Sequence, residues 1–332
     1  MKALQVMFGH SFQHLGFDVS YILQIFPGVP IFFVVSGFLV SASWERSSSS
    51  KAYFLNRILR IYPALIVCLV FSLLVVFISY DIEVNVVELI AWLTAQITFA
   101  QFYNPQFLRG FGVGVLNGSL WTISIELQFY LILPIMYYVF ERINWNKLVL
   151  ISVFILLCVI NYYRYYNGHL WENLFFKLFC MTIFPYLNMF LLGVILQRNK
   201  FFVERYLSEK VLIWLAVYLS SIVVFDFVGM KTVGNGINPI SATLLGLLTI
   251  SFAYSFTGLF STILGGNDIS YGIYIYHMIF VNLFLHLSTF EPLVSLLSVF
   301  VWTIVFAMLS WRWVEKPMID MKKHNYSFRG NS

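Results

Sequence analysis

Tyr62-Pro63-Ala64-Leu65-Ile66-Val67-Cys68-Leu69-Val70-Phe71-Ser72-Leu73-Leu74-Val75-Val76-Phe77-Ile78-Ser79-Tyr80 runs without a single charged side chain. Coiled as a helix, at about 1.5 Å per residue, it measures about 28 Å, close to the roughly 30 Å of a bilayer's hydrocarbon core. Runs of the same kind recur at 3–15, 28–44, 119–140, 148–164, 180–197, 211–228, 238–256, 269–288 and 293–314. Over the 332 residues, hydrophobic side chains make up 60% and charged ones 11%. A soluble domain carries about 25% charged residues, so this chain has too few to solvate a globular surface. The expected fold is all-α: a polytopic transmembrane helix bundle of about ten spans over 1–317, followed by a short polar tail over 318–332.

One further apolar stretch, 86–103, is ambiguous, and charge placement decides it. If it does not cross and the N-terminus is cytoplasmic, all but Arg109, Arg164, Lys177 and Lys231 of the 20 Lys and Arg fall on the cytoplasmic side. If it crosses, the basic 198–210 loop moves outside, against the bias that keeps Lys and Arg in the cytoplasm. The stretch is therefore expected as an interfacial or re-entrant helix, with both termini cytoplasmic. The net charge of +5 then reflects inward-facing loops rather than a nucleic-acid surface, since no compact basic domain exists. Cys68, Cys158 and Cys180 lie in apolar runs without metal or redox spacing and are expected as free thiols. The N-terminal stretch lacks the charged leader and small-residue site of a cleavable signal peptide. As a helix, 3–15 reaches only about 20 Å, so the first span looks truncated.

Ionisable groups inside spans are costly, and so are candidates for function. His10, Glu126 and His277 qualify, with Asp226 nearer a helix end. A neutral imidazole is cheap to bury and titrates near neutrality, which suits a general base; the competing reading of His10 is a structural bond to a carbonyl. Glu126 must be protonated or paired. Ser119, Thr122 and Glu126 recur at helical spacing and are expected to form one inward polar stripe, with Trp121, Tyr130 and Tyr274 as supporting residues. Arg57 and Arg60, three apart, share a helix face, and paired guanidinium groups suit a multiply phosphorylated ligand as well as plain cytoplasmic anchoring. Gly37 and Gly193 are expected where helices approach closely. No metal-ligand spacing occurs.

Several stretches resemble a known family. Val6-Met7-Phe8-Gly9-His10-Ser11, Gly28 to Val40 with Ser36-Gly37, Arg57 to Pro63, and Asn117 to Pro134 with Leu120-Trp121, Glu126 and Phe129-Tyr130 are similar, in order and spacing, to motifs of the membrane acyltransferase family 3. Weaker echoes follow at Ser270–His277 and Trp313-Val314-Glu315-Lys316-Pro317. The family O-acylates bacterial surface glycans and some other acceptors. The resemblance implies acyl-CoA as donor substrate, with no permanently bound cofactor. It implies His10 as catalytic and Arg57 and Arg60 as contacts to the CoA phosphates; Glu126 matches the family's helix glutamate. The implied partners are acyl-CoA, a glycan or lipid-linked saccharide acceptor, the lipid bilayer and polysaccharide-assembly proteins. The implied location is the bacterial inner membrane. The family's arginine eleven residues before its histidine would fall before Met1, so the expected natural start lies upstream, or the protein is impaired. Two other classes stay open: a transporter or flippase of a lipid-linked sugar or small acid, and a non-catalytic membrane partner in polysaccharide assembly.

Overall fold

The structure, a computed structural model, describes residues 2–19, 21–256, 265, 267–287 and 290–327. It is 77% helical, with no strand among the described residues. The helices in order are α1 (Lys2–His14), α2 (Tyr21–Ile25), α3 (Gly28–Glu45), α4 (Ser50–Ser79), α5 (Val86–Gln96), α6 (Trp121–Arg142), α7 (Lys147–Tyr166), α8 (Leu174–Cys180), α9 (Leu187–Arg198), α10 (Lys200–Phe202), α11 (Val211–Phe227), α12 (Pro239–Ser255), α13 (Ser270–Leu287), α14 (Pro292–Ser310) and α15 (Lys316–Ser327). Of the tail expected over 318–332, residues up to Ser327 continue α15, and 328–332 lie outside the described residues.

Among the described residues, six helical segments are long and apolar enough to cross a membrane, or up to eight if each of two bent pairs counts as one span. The expected ten is not confirmed among the described residues, and helix length and bends are the reasons. The first expected span is the 13-residue α1, and 238–256 is the 17-residue α12. The run at 180–197 is broken, with Leu174–Cys180 bent by 51° from Phe184–Arg198. Lys200–Leu207 likewise bends by 83° from Val211–Phe227. The ambiguous stretch is helical only over Val86–Gln96. At about 16 Å that helix is too short to cross. It starts where the Asn85 side chain accepts from the Val87 and Glu88 amides. It ends where Gln101 Nε2 donates to the Gln96 carbonyl.

The chain forms two compact units. One comprises the residues up to Val19, Lys51–Ser124 and the chain from Asn267 on. The other comprises the chain between Val19 and Lys51 and that from Ile125 to Gly266.

In the first unit, α1 packs on α13 and α14. Ala3, Met7 and Ser11 are buried, four residues apart, which makes one face of α1 the packing face. Phe8 meets Phe300 of α14 with ring centroids 4.6 Å apart. Gly272 lets α13 and α14 touch: a Cβ there would stand 2.7 Å from Ala307 Cα. Asn282 Oδ1 accepts from the Val113 amide, and its Nδ2 donates to the Val115 and Leu116 carbonyls. That pins the loop before α6 onto α13. Gly112, at φ 56°, passes Asn282 so closely that a Cβ would overlap it.

The second unit turns on glycines at a helix crossing. A Cβ on Gly37 of α3 would run into the Phe190 carbonyl of α9, and one on Gly193 would meet the Val34 carbonyl and stand 2.6 Å from the Phe38 amide. Both expected close approaches are therefore present, and they are backbone to backbone. Beside them Phe129 stacks on Phe190 at 4.2 Å, with Phe33 edge-on to Phe129 at 5.2 Å. Backbone cannot yield as a side-chain tip can. Gly193→Ala is expected to destabilise the protein by about 1–3 kcal/mol, read as a fall in thermal unfolding temperature of detergent-purified protein. Gly168→Ala serves as control, since a Cβ there meets nothing within 4 Å. Equal melting of the two variants would contradict this packing.

Candidate active site

His10 sits in the middle of α1, and its neighbour is the other intramembrane histidine. His10 Nδ1 lies 3.0 Å from His277 Nε2, and the rings stack with centroids 5.2 Å apart. His277 is fully buried on α13, whereas His10 is only partly buried. His277 Nδ1 is 3.1 Å from the Ile273 carbonyl, one turn back on its own helix. His14, the next turn of α1, is 6.1 Å from His10 ring to ring. Among the described residues His10 Nε2 has no hydrogen-bond partner. The two histidines were separate candidates in sequence; folding makes them a pair.

The arginine face is occupied. Arg60 donates to Asp268, just before α13, and its Nη1 lies 3.8 Å from Glu315 Oε2. Glu315 is buried, and its other oxygen accepts from Ser310 at 3.1 Å. Asp268 also accepts from the Ser270 hydroxyl and, at 3.2 Å, from its amide. Burial alone would raise the Asp268 carboxyl, but the Arg60 guanidinium and the Ser270 donors outweigh it and hold the carboxyl below the ordinary 3.8. A depressed carboxyl stabilises the fold at every pH above its unfolded value and loses that contribution only as pH falls through the folded one. The Arg60–Asp268 pair therefore persists across neutral and mildly acidic pH. Arg57, one turn earlier on α4, is partly buried. Tyr271 donates to the Ile61 carbonyl at 3.1 Å, tying the start of α13 to the turn that carries Arg60.

The polar stripe expected through Ser119, Thr122 and Glu126 divides. Ser119 lies before α6, which begins at Trp121. Its hydroxyl donates to Asn117 Oδ1 at 2.6 Å and faces the Tyr274 carbonyl at 3.2 Å. Thr122 bonds the Tyr274 hydroxyl, which also donates to the Ser119 carbonyl at 3.0 Å. Asn117 Nδ2 donates to the Ile275 carbonyl at 2.7 Å. These groups lock the entry of α6 to α13, so their protons are engaged rather than free to meet an oxyanion. Trp121 is partly buried at the first position of α6.

Glu126 belongs to the second unit, where Tyr130 donates to its Oε1 at 2.7 Å and Ser36 at 3.4 Å. Its Oε2 has no hydrogen-bond partner among the described residues. Tyr130 is buried, four residues on along α6, so the helix itself sets the pair. Ser36 stands beside the Gly37 crossing, which gives the Ser36-Gly37 motif two jobs: helix contact and a hydroxyl for the glutamate.

The Asp226 carboxylate, at the end of α11, accepts from the Thr232 hydroxyl at 3.3 Å. Cys68, Cys158 and Cys180 are free thiols. Among the described residues no three His, Cys, Asp or Glu side chains gather as a metal ion would require. Sequence reasoning missed Asp268, just before α13, and the Asn282 clasp within it: single polar residues carry no periodic signal, and their partners are distant in the chain.

Nodulation protein 10 of Rhizobium leguminosarum bv. viciae is 29% identical over 96% of this chain and 91% of its own length. Peptidoglycan O-acetyltransferase OatA of Listeria monocytogenes serovar 1/2a is 31% identical over 43% of this chain, a match covering 24% of that larger protein. No solved structure matches. Residues 3–312, which hold the histidine pair, the arginine turn and the helix glutamate, match the model of the acyltransferase domain of family 3, and the chain belongs to that family of membrane O-acyltransferases.

Proposed function

We propose that the protein transfers an acyl group, most simply acetyl, from acyl-CoA to a hydroxyl of a cell-surface or lipid-linked polysaccharide. The observation that carries this is His10: a partly exposed imidazole whose Nε2 has no hydrogen-bond partner among the described residues, backed by a buried second histidine. The peptidoglycan O-acetyltransferase among the relatives supports a glycan acceptor and an acetyl group. In the reaction, His10 Nε2 takes the proton of the acceptor hydroxyl as the oxygen attacks the thioester carbonyl. The C–S bond breaks, and the imidazolium returns the proton to the departing CoA thiolate. Arg57 and Arg60 would meet the CoA phosphates. For Arg60 this is an exchange, because phosphate must displace the Asp268 carboxylate.

The Lys and Arg distribution supports cytoplasmic termini in a bacterial inner membrane, with the arginines on the side where CoA is made. A maleimide that cannot cross the membrane should label a cysteine at Ser208, in the 198–210 loop, only after the cells are permeabilised. Labelling in intact cells would reverse the orientation.

Purified protein in nanodiscs, given acetyl-CoA and acceptor glycan, should release one CoA per acetyl ester formed. Movement of the saccharide without CoA release would favour a transporter instead. Glu126 keeps an Oε2 with no hydrogen-bond partner among the described residues; if that carboxylate takes part in turnover, Glu126→Gln should lower it about 10- to 100-fold and Tyr130→Phe less, with unchanged yield of folded protein. Wild-type rates from Glu126→Gln would remove the carboxylate from the reaction.

A further inference from the structure

The bond from His277 to its own helix fixes where the protons sit on both histidines. The Ile273 carbonyl can only accept, so His277 Nδ1 carries a proton and donates across the 3.1 Å contact. His277 is wholly buried, with no acidic partner among its described contacts. Protonating its second nitrogen would bury an uncompensated cation, which is strongly unfavourable. The ring is therefore neutral, and its Nε2 is a bare acceptor. The nitrogen facing it at 3.0 Å, His10 Nδ1, must then supply the hydrogen. His10, neutral in turn, is left with its lone pair on Nε2, the nitrogen without a partner among the described residues.

We infer that His277 is the positioning residue for His10: through a carbonyl–histidine–histidine relay it selects the tautomer whose basic nitrogen points away from the pair, and it stacks the ring in place. This rests on the reading of His10 as the base and deepens it. His277 touches no reacting atom in this account. Its work resembles that of a group holding a catalytic imidazole in the correct tautomer, with a neutral imidazole in the place of a carboxylate. The sequence provides for it locally. Residue i−4 on a helix always presents a carbonyl toward position i, so a histidine at 277 finds its proton acceptor without help from any other element. Gly272, one residue before Ile273, keeps α13 close to α14 at Ala307. The relay also carries charge during turnover. When His10 Nε2 takes a proton, the positive charge is shared through Nδ1–H with a neutral acceptor rather than compensated by an anion. The imidazolium thus stays a strong acid, suited to returning its proton to the CoA thiolate within the same cycle.

The test uses the whole protein in nanodiscs, ¹⁵N-labelled at histidine, with the His10 signals assigned by their loss in His10→Asn. In the wild type, His10 should show a protonated Nδ1 and a bare Nε2. His277→Gln places an amide oxygen, the same number of bonds from Cβ, where Nε2 stood; it should keep that tautomer and turnover within about 10-fold. His277→Leu removes the acceptor; the Nε2–H tautomer should appear and kcat should fall about 100-fold, with KM for acetyl-CoA within about 2-fold. A wild-type His10 protonated at Nε2 overturns the inference whatever the rates are. So does a His277→Gln protein that keeps the tautomer and turns over as poorly as His277→Leu, since the ring would then matter only for packing. Should His277→Leu not fold, the wild-type and His277→Gln spectra decide alone. The base reading fails separately: it falls if His10→Ala still transfers acyl groups while the wild-type tautomer is as drawn.

Discussion

His10→Ala is expected to abolish acyl transfer, with turnover falling about 1,000-fold or more, while the protein still inserts and purifies as a single species. The size follows from the step removed. A general base in direct contact with the attacking hydroxyl contributes about 10² to 10⁴ in rate, and the nearest other imidazole nitrogen, His277 Nε2, sits on a fully buried ring. The cost to the fold is small by comparison. The packing face of α1 is Ala3, Met7 and Ser11, which the substitution leaves alone. What it does leave is His277 Nε2 without its donor, a buried neutral acceptor worth about 1–2 kcal/mol. The measurement is CoA release and acceptor acylation, with chromatographic homogeneity as the check on folding. His14→Ala, one turn along, serves as control and should stay within about 3-fold of wild type, since it is outside the pair.

The second large effect falls on the arginine turn, and it divides into two parts that separate cleanly. Arg60→Ala strips the counter-charge from both Asp268 and Glu315. Asp268 is half exposed and rehydrates, but Glu315 is buried, with side-chain exposures of 27% for Arg60 and 2% for Glu315. Breaking such a pair from one side costs about 3 kcal/mol. The melting temperature of Arg60→Ala should therefore drop by several degrees, and the KM for acetyl-CoA should rise about 10- to 100-fold. Adding Glu315→Gln removes the stranded charge. It should restore most of the stability and none of the donor affinity. If the double variant recovers both, Arg60 is an anchor for Glu315 and Asp268 and not a contact to CoA. Arg57→Ala should likewise raise the KM for acetyl-CoA, by about 10-fold, if this turn meets the CoA phosphates.

The apolar runs were readable because a membrane span is a long, uninterrupted signal: α3, α4, α6, α7, α13 and α14 stand where composition puts them. The count was not. Bends at 181–183 and 208–210 leave no trace in hydropathy, and α1 and α12 fall short of a full crossing. Charge placement succeeded where hydropathy was ambiguous, at Val86–Gln96. In the site, His10, Glu126 and the arginines were legible because ionisable groups are rare in these helices. The pairing of His10 with His277, 267 positions apart, was not, because nothing local in either helix points to the other. Spacing counted Ser119 and Thr122 onto one helix face; Ser119 lies just before α6, which starts at Trp121, and the two hydroxyls are engaged with Asn117 and Tyr274. Arg60 was read by its charge and helix face alone; Asp268, its partner 208 residues away, shows that the same guanidinium also holds the fold together.

The central claim is that this chain moves an acyl group from CoA to a hydroxyl by way of His10, and a labelled acetyl group tests it directly. Purified wild-type and His10→Ala proteins in nanodiscs are given acetyl-CoA carrying ¹³C in the acetyl group, together with surface glycan as acceptor. The account predicts a ¹³C ester on the glycan and one free CoA per ester with the wild type, and neither above background with His10→Ala. Equal labelling by the two proteins, or labelled glycan without release of CoA, would contradict it.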